Sequence, residues 1–102
     1  VGAVGVDMGI RRAASEYGSS VGDEAVTVST VAIGITAASG AIAAMITNGA
    51  EAIRMRWGTP TASVGHYINP YSVLDLYQDD MADVKFIRVG GSDSTIHVTY
   101  FG

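Results

Sequence analysis

Residues 52–76 read Ala-Ile-Arg-Met-Arg-Trp-Gly-Thr-Pro-Thr-Ala-Ser-Val-Gly-His-Tyr-Ile-Asn-Pro-Tyr-Ser-Val-Leu-Asp-Leu, and the fold is organised around this stretch. From residue 53 to residue 57, apolar side chains alternate with Arg54 and Arg56, which predicts a strand with one packed face and one solvated face. Glycine, asparagine and proline then recur over about a dozen residues, which indicates an ordered loop. The alternation returns after Pro70. The stretch therefore predicts a strand, a loop and a second strand.

The same alternation recurs on both sides of this stretch. It predicts strands over residues 25–29, 31–36, 41–47, 84–89 and 95–101. Asn48-Gly49 predicts a hairpin turn into the strand at residue 53, because both residues tolerate positive φ. A helix over residues 37–46 is the alternative, although the glycine inside it would cost about 1 kcal/mol relative to alanine. The acidic residues 78–83 predict a turn or a short helical turn.

About seven to eight antiparallel strands at this spacing predict an all-β fold, a single-domain β-sandwich or jelly roll. At 102 residues, the sequence has room for one domain. Its 13 glycines and 16% charged residues favour a turn-rich β protein over a helical bundle. We assign residues 1–24 to an N-terminal arm, either extended or disordered, and residues 25–102 to the β-sandwich domain.

The composition argues against several classes of function. A formal net charge of −4 argues against a nucleic-acid-binding surface, which needs clustered lysine and arginine. With no cysteine, the sequence excludes a disulfide scaffold, a thiolate zinc site and a cysteine nucleophile. Residues 25–50 carry no charge, but serine, threonine and glycine dilute the run, and it lacks flanking lysine or arginine. Two strands therefore explain this segment better than a membrane span.

The sequence shows no catalytic constellation, so we expect neither enzyme activity nor a cofactor or metal ion. His66 and His97 lack the spacing of a metal-binding pair. A sandwich could bring them together with Asp75 or Asp93, but a packed or exposed histidine is commoner than a ligand. Ser63 and His66 lie too close together in one loop to belong to a hydrolase triad.

Three arginines suggest a binding surface on this acidic protein. Arg54 and Arg56 share one face of their strand, and Arg88 would extend them into a cationic strip if its strand joins the same sheet. An acidic edge would form elsewhere from Asp75, Asp79, Asp80 and Asp83. Such patches could dock neighbouring subunits through bidentate bonds. The alternative is pairing within the chain, for example of Arg54 or Arg56 with Asp75, worth about 0.2–1 kcal/mol per pair.

Four aromatic residues could form a platform at the loop end of the sandwich: Trp57, Tyr67, Tyr71 and Tyr77. If they are exposed, they suit a sugar ring or a protein partner, because aromatic residues dominate interface hot spots. If they are buried, they are core and loop-packing residues.

Four segments together carry a resemblance to a known family. The run Ala-Ile-Arg-Met-Arg-Trp-Gly-Thr-Pro-Thr-Ala-Ser-Val-Gly-His, then Asn-Pro-Tyr-Ser-Val-Leu-Asp-Leu, Val-Lys-Phe-Ile-Arg-Val-Gly-Gly and Ile-His-Val-Thr-Tyr-Phe, resembles small phage and prophage proteins found among virion structural components. The resemblance covers about residues 25–101. The sequence departs from the family pattern at Trp57-Gly58 and at Tyr71-Ser72. The resemblance implies a β-sandwich subunit of a virion that decorates or cements the head, with the neck or tail as other locations.

We therefore expect a phage virion structural protein on the particle surface, a capsid decoration or cement protein. It would form a homo-oligomer, a trimer, and bind the major capsid protein lattice, which stabilises the head. The expected partner-binding residues are Arg54, Arg56, Trp57, Tyr67, Tyr71 and Arg88. The arm of residues 1–24 would become ordered on a neighbouring subunit. The alternative is a receptor-binding or carbohydrate-binding module that uses the aromatic loops.

Overall fold

Eight strands and one short helix follow one another along residues 19–102, the part of the chain that the computed structural model describes. The strands are β1 (Ser20–Val28), β2 (Ile33–Gly34), β3 (Ala43–Thr47), β4 (Ile53–Trp57), β5 (His66–Ile68), β6 (Val73–Tyr77), β7 (Val84–Arg88) and β8 (Ser94–Phe101). The helix α1 (Gln78–Met81) lies between β6 and β7. The predicted acidic helical turn is therefore confirmed.

The strands form two antiparallel four-stranded sheets. We call the sheet with the order β1-β8-β3-β6 sheet I, and the sheet with the order β2-β7-β4-β5 sheet II. Each of the first four strands pairs with one of the last four: β1 with β8, β2 with β7, β3 with β6, and β4 with β5. Residues 20–101 thus form one long hairpin, folded over into two sheets, which is the jelly-roll arrangement. The predicted all-β jelly roll is confirmed.

The core lies between the two sheets. Alternate residues of each strand point inward, as the period of two predicts. Both sheets contribute aliphatic side chains, with one large aromatic ring from each, Tyr100 from sheet I and Phe86 from sheet II. The buried core residues are Val26, Val28, Ala44, Ile46, Ile53, Met55, Leu76, Met81, Val84, Phe86, Ile96, Val98 and Tyr100. At about 25 cal/mol per Å² of apolar surface, this burial is the main favourable term that holds the sheets together.

The turn predicted at Asn48-Gly49 is not a hairpin turn, because β3 belongs to sheet I and β4 to sheet II. Asn48 is 1% exposed and satisfies three groups at this crossing. Its Nδ2 donates to the carbonyls of Glu51 at 2.9 Å and Asn69 at 3.0 Å, and its Oδ1 accepts from the Ser94 hydroxyl at 2.9 Å. The side-chain amide of Asn48 holds this crossing together by hydrogen bonds. Neither Asn48 nor Gly49 adopts the positive φ that a hairpin turn of this type would require.

Three further boundaries differ from the sequence prediction. Strand β1 begins at Ser20, so five residues of the predicted arm lie in sheet I, while residues 1–18 of that arm lie outside the described residues. Strand β5 falls inside the predicted loop and pairs with β4. The strand predicted over residues 31–36 is reduced to the two residues of β2, because only Ile33 and Gly34 pair with β7.

The uncharged segment of residues 31–47 is divided between the two sheets. It contains β2 of sheet II and β3 of sheet I, and the alternative helix over residues 37–46 is wrong because β3 begins at Ala43. Within residues 19–102, no helix has the length and apolar character needed to cross a membrane.

Candidate functional site

The outer side of sheet II carries a cluster of basic side chains. Residues directly opposite each other in antiparallel strands share a face. Arg54 of β4 lies opposite Tyr67 of β5, and Arg56 lies opposite Lys85 of β7. Since Ile53 and Met55 point into the core, these four side chains face away from it. We call Arg54, Arg56, Tyr67 and Lys85 the cationic face.

Arg54 is held in place by the central loop of the hairpin. Its Nε donates to the carbonyl of Ala62 and its Nη1 to the carbonyl of Gly65, both at 2.9 Å. Its guanidinium also lies over the ring of Tyr67, 5.4 Å from the centroid, within the range of a cation–π interaction. The predicted pairing within the chain therefore exists, but its acceptors are backbone carbonyls rather than Asp75.

Arg56 and Lys85 are less committed to intramolecular contacts than Arg54. Arg56 is exposed and donates one longer hydrogen bond, of 3.3 Å, to the carbonyl of Thr59. Lys85 is also exposed. Because both side chains are exposed, an incoming anion can reach their charges, so this pair supplies most of the accessible charge of the cationic face.

Arg88 does not belong to the predicted cationic strip. It lies opposite Ile53, so it projects from the inner side of sheet II, at the edge of the core. There its Nη1 forms a salt bridge of 2.6 Å with Asp93 Oδ1. Lys85 takes the place that sequence reasoning gave to Arg88. The alternation in the sequence contained this information, because residues 85 and 88 of one strand must point to opposite faces, so only one of the two can join Arg54 and Arg56.

The predicted pairing of Arg54 or Arg56 with Asp75 is wrong. Asp75 lies on β6 opposite Met45, on the outer side of sheet I, whereas both arginines face outward from sheet II. The predicted acidic edge is therefore divided. Asp75 stands apart, and the other three members, Asp79, Asp80 and Asp83, lie in or just after α1.

The four predicted platform aromatics are all exposed but do not form one platform. Trp57 is 49% exposed at the end of β4, and Tyr67 is 51% exposed on the cationic face. Tyr71 is 72% exposed in the loop after β5, where it adopts a φ of 61°. Tyr77 is 41% exposed and lies opposite Ala43, on the outer side of sheet I. Tyr67 and Tyr77 lie on the outer sides of different sheets and Tyr71 lies in a loop, so the four rings do not form one surface.

A groove lies beside Trp57, and we call it the Trp57 groove. Its lining residues are Trp57, Gly58, Ala82, Asp83 and Lys85, and its volume is about 470 Å³. The Gly58 amide donates to the Asp83 carbonyl at 3.0 Å, which fixes the end of β4 against the segment that follows α1. Sequence reasoning found Trp57 but not its neighbours, because the groove joins segments about 25 residues apart.

A polar cluster lies where the chain leaves β2 and passes beside sheet I. Glu24 accepts hydrogen bonds from the Tyr100 hydroxyl and, at 2.9 Å, from both the amide and the hydroxyl of Thr36. The Tyr100 hydroxyl in turn accepts from the Ala37 amide at 3.0 Å. These bonds fasten the chain after β2 to sheet I. A cavity of about 140 Å³ adjoins the cluster.

The cluster shifts two pKa values in opposite directions. Burial raises the pKa of the Glu24 carboxyl, but the hydrogen bonds from Tyr100 and Thr36 outweigh burial and hold the pKa below its ordinary value. Burial is the largest cause that raises the pKa of Tyr100 to about 12, and the hydrogen bond to Glu24 is the next largest. The pair is therefore a carboxylate and a neutral phenol across the neutral pH range.

The two histidines are not brought together. His66 lies on β5 in sheet II, where its ring is roughly perpendicular to that of Trp57 with the two centroids 5.8 Å apart, and His97 lies on β8 in sheet I. Among residues 19–102, no group of three or more histidine, aspartate or glutamate side chains is placed to hold a metal ion.

Comparisons with protein-family models, with curated proteins and with solved structures found no significant match to this chain. The fold and the site define it as a jelly-roll domain with a cationic outer face.

Proposed function

We propose that this chain is a structural subunit of a phage virion that decorates the head, docking its cationic face on an acidic surface of the major capsid protein. The observation that carries the proposal is the concentration of charge. Among residues 19–102, three of the four basic side chains project from the outer side of sheet II, in a protein of net charge −4. A positively charged patch on a protein of negative net charge can orient that protein on an acidic partner surface.

The chemistry of the face favours a protein partner. Arg56 can form paired hydrogen bonds to a carboxylate, Lys85 adds a point charge, and Tyr67 adds an exposed aromatic surface beside them. Arginine and tyrosine are the residue types enriched at interface hot spots. Two free charges are too few to hold a nucleic-acid backbone in a protein with this excess of carboxylates.

The fold and the sequence resemblance supply the virion context. Jelly rolls occur in viral capsid domains, which is support by analogy with the fold. A homotrimer would present three cationic faces to a repeating shell, and linked weak contacts gain affinity through effective concentration. The mechanism we propose is thus a clamp: several small interfaces on neighbouring shell subunits together hold the shell closed.

The test uses particles of the phage or prophage that encodes this chain. Occupancy is measured by electron microscopy and by quantitative immunoblotting of purified particles, and the mass of the free protein is measured by light scattering. We expect regular positions over the head surface and an oligomer in solution. The double variant Arg56→Gln with Lys85→Gln should lower occupancy at least about tenfold, and raised salt should weaken the binding of the parent protein.

A charge-matched control isolates the cationic face. Thr27→Glu with Ser92→Glu lowers the net charge by the same two units at exposed positions outside this face, and it should leave occupancy unchanged. Equal losses in both double variants would show a general charge effect and contradict the proposed docking face. A protein absent from the head, or present only at one vertex, would contradict decoration itself.

A further inference from the structure

The Trp57 groove offers a second binding site, separate from the proposed docking residues apart from Lys85. We propose that it binds the ring of a neutral hexopyranose sugar, with the sugar stacked on Trp57 and its hydroxyls bonded to Asp83 and Lys85. The proposal assigns a ligand class to this groove, and it holds whether or not the chain decorates a particle.

The indole ring of Trp57 is both exposed and fixed. About half of the residue, 49%, is open to solvent. Its Nε1–H nevertheless donates to Asp80 Oδ1 at 3.1 Å, and its ring packs edge to face with His66 at an angle of 83°. Two contacts of different kinds thus hold the orientation of a large apolar surface that remains uncovered. A ligand that stacks on it does not have to order the ring first, which favours binding.

The groove has room for a single sugar ring. Its volume of about 470 Å³ lies within the range of small-molecule sites, about 300–1,000 Å³. Gly58 keeps it open, because a Cβ built on Gly58 meets no heavy atom within 4 Å, and its φ of 111° disfavours any side chain there. The backbone at the end of β4 therefore leaves the space beside the indole free.

The charges beside the groove select the ligand class. Asp83 and Lys85, both exposed, place an acceptor-only carboxylate and a donor-only ammonium near the same apolar surface. A pyranose ring matches all three elements: its C–H face packs on the indole, while its hydroxyls donate to the carboxylate and accept from the ammonium. The two carboxylates of Asp80 and Asp83 outnumber the ammonium of Lys85, which disfavours an anionic ligand.

The experiment follows Trp57 itself, since it is the one tryptophan in the sequence. The methyl glycosides of glucose, galactose and N-acetylglucosamine are each titrated to about 50 mM, because a single-ring ligand of this size binds with a Kd of about 1–10 mM. We expect a saturable change in fluorescence with at least one of them. Asp83→Asn and Lys85→Met should each weaken that binding about tenfold, since each removes a charged hydrogen-bonding partner.

Two controls separate the groove from other surfaces. Tyr71→Ala removes a ring that is more exposed than that of Trp57. Tyr71 bonds to Gly49, which precedes β4, whereas the groove lies at the other end of that strand, so the sugar affinity should be unchanged. Arg56→Gln weakens the proposed docking face but should also leave the sugar affinity unchanged, so the two proposals can fail separately. Urea unfolding verifies that each variant is folded. No saturable change with any of the three glycosides, or unchanged affinity in both Asp83→Asn and Lys85→Met, would overturn the proposal.

Discussion

The guanidinium of Arg54 lies 5.4 Å from the centroid of the Tyr67 ring, across the strand pair that closes the long hairpin. The same guanidinium donates to the carbonyls of Ala62 and Gly65 in the loop that joins these two strands. One side chain thereby holds both the tip of the hairpin and the aromatic member of the cationic face. This relationship assigns a structural role to Arg54 and leaves docking to Arg56 and Lys85.

Replacing Arg54 with glutamine should loosen the central loop. The variant loses two charged hydrogen bonds and the contact with Tyr67, so we expect a loss of about 1–2 kcal/mol in the free energy of unfolding, measured by urea titration. Amide hydrogen exchange across residues 58–65 should accelerate. The matched control is Arg56→Gln, which loses one long, exposed hydrogen bond and should change stability by less than about 0.5 kcal/mol. Equal destabilisation by the two variants would contradict the structural role of Arg54.

Asn48→Ala should be among the most destabilising substitutions of a polar residue. It leaves two carbonyls and the buried Ser94 hydroxyl without their partner where the chain passes from sheet I to sheet II. We expect a loss of about 3 kcal/mol in urea unfolding, since each buried unsatisfied group costs about 1–3 kcal/mol. Ser94→Ala removes one of these bonds and should cost about 1 kcal/mol. A smaller loss for Asn48→Ala than for Ser94→Ala would show that the amide does not organise the crossing.

Gly49→Ala should destabilise the same crossing by steric contact. A Cβ on Gly49 would lie 2.6 Å from the carbonyl oxygen of Thr95, which is backbone in β8 and cannot rotate away. We expect a loss of at least about 2 kcal/mol, because a tightly packed site must shift to accept the methyl group. Gly90→Ala is the control, since a Cβ there meets nothing within 4 Å. Thermal unfolding of both variants measures the difference, and equal midpoints would contradict the close approach.

The stability of the fold should decline in acid because of Glu24. Its pKa is lowered in the folded protein, so the carboxylate contributes stability above its ordinary pKa of 4.5, and this contribution is lost as the pH falls through the folded value. Glu24→Gln should therefore be less stable than the parent at pH 7, and the difference should shrink below about pH 4.5. Urea unfolding from neutral to acid pH measures both curves. Parallel curves would show that the Glu24 cluster does not contribute to acid sensitivity.

The phenol of Tyr100 should titrate at a higher pH than an ordinary tyrosine. Its pKa is raised to about 12, so the protonated phenol contributes stability that is complete below its ordinary pKa of 10 and is lost as the pH rises towards 12. Ultraviolet titration should resolve one late phenol, and Tyr100→Phe should lack it. A late phenol that persists in Tyr100→Phe would assign the shift to another tyrosine.

The sequence predicted most of the strands but not which strands pair with one another. Alternation within residues 53–57 and 73–77 reports which side of a strand is apolar, and the core follows those sides. It does not report which sheet a strand joins, so the crossing at Asn48 was predicted as a hairpin. The three residues of β5, enclosed by Gly65 and Asn69-Pro70, are too few to show a period.

The candidate site was also predicted only in part. The outward direction of Arg54 and Arg56 followed from alternation alone, and the exchange of Arg88 for Lys85 needed only the parity of residues in β7. The Trp57 groove could not be predicted from alternation, because only the folded structure brings Asp83 close to Trp57. The pairing of the two halves of the hairpin determines which residues from distant segments of the sequence become neighbours.

That pairing has a consequence for how the protein is made. Strand β8 lies between β1 and β3 at the centre of sheet I, and Ser20 pairs with Phe101. While the ribosome is still synthesising residues 94–101, the earlier strands of this sheet lack the partner that joins them, and their apolar faces remain uncovered. The growing chain must therefore stay soluble, protected by its charged residues or by chaperones, until β8 emerges and sheet I closes in one late, cooperative step.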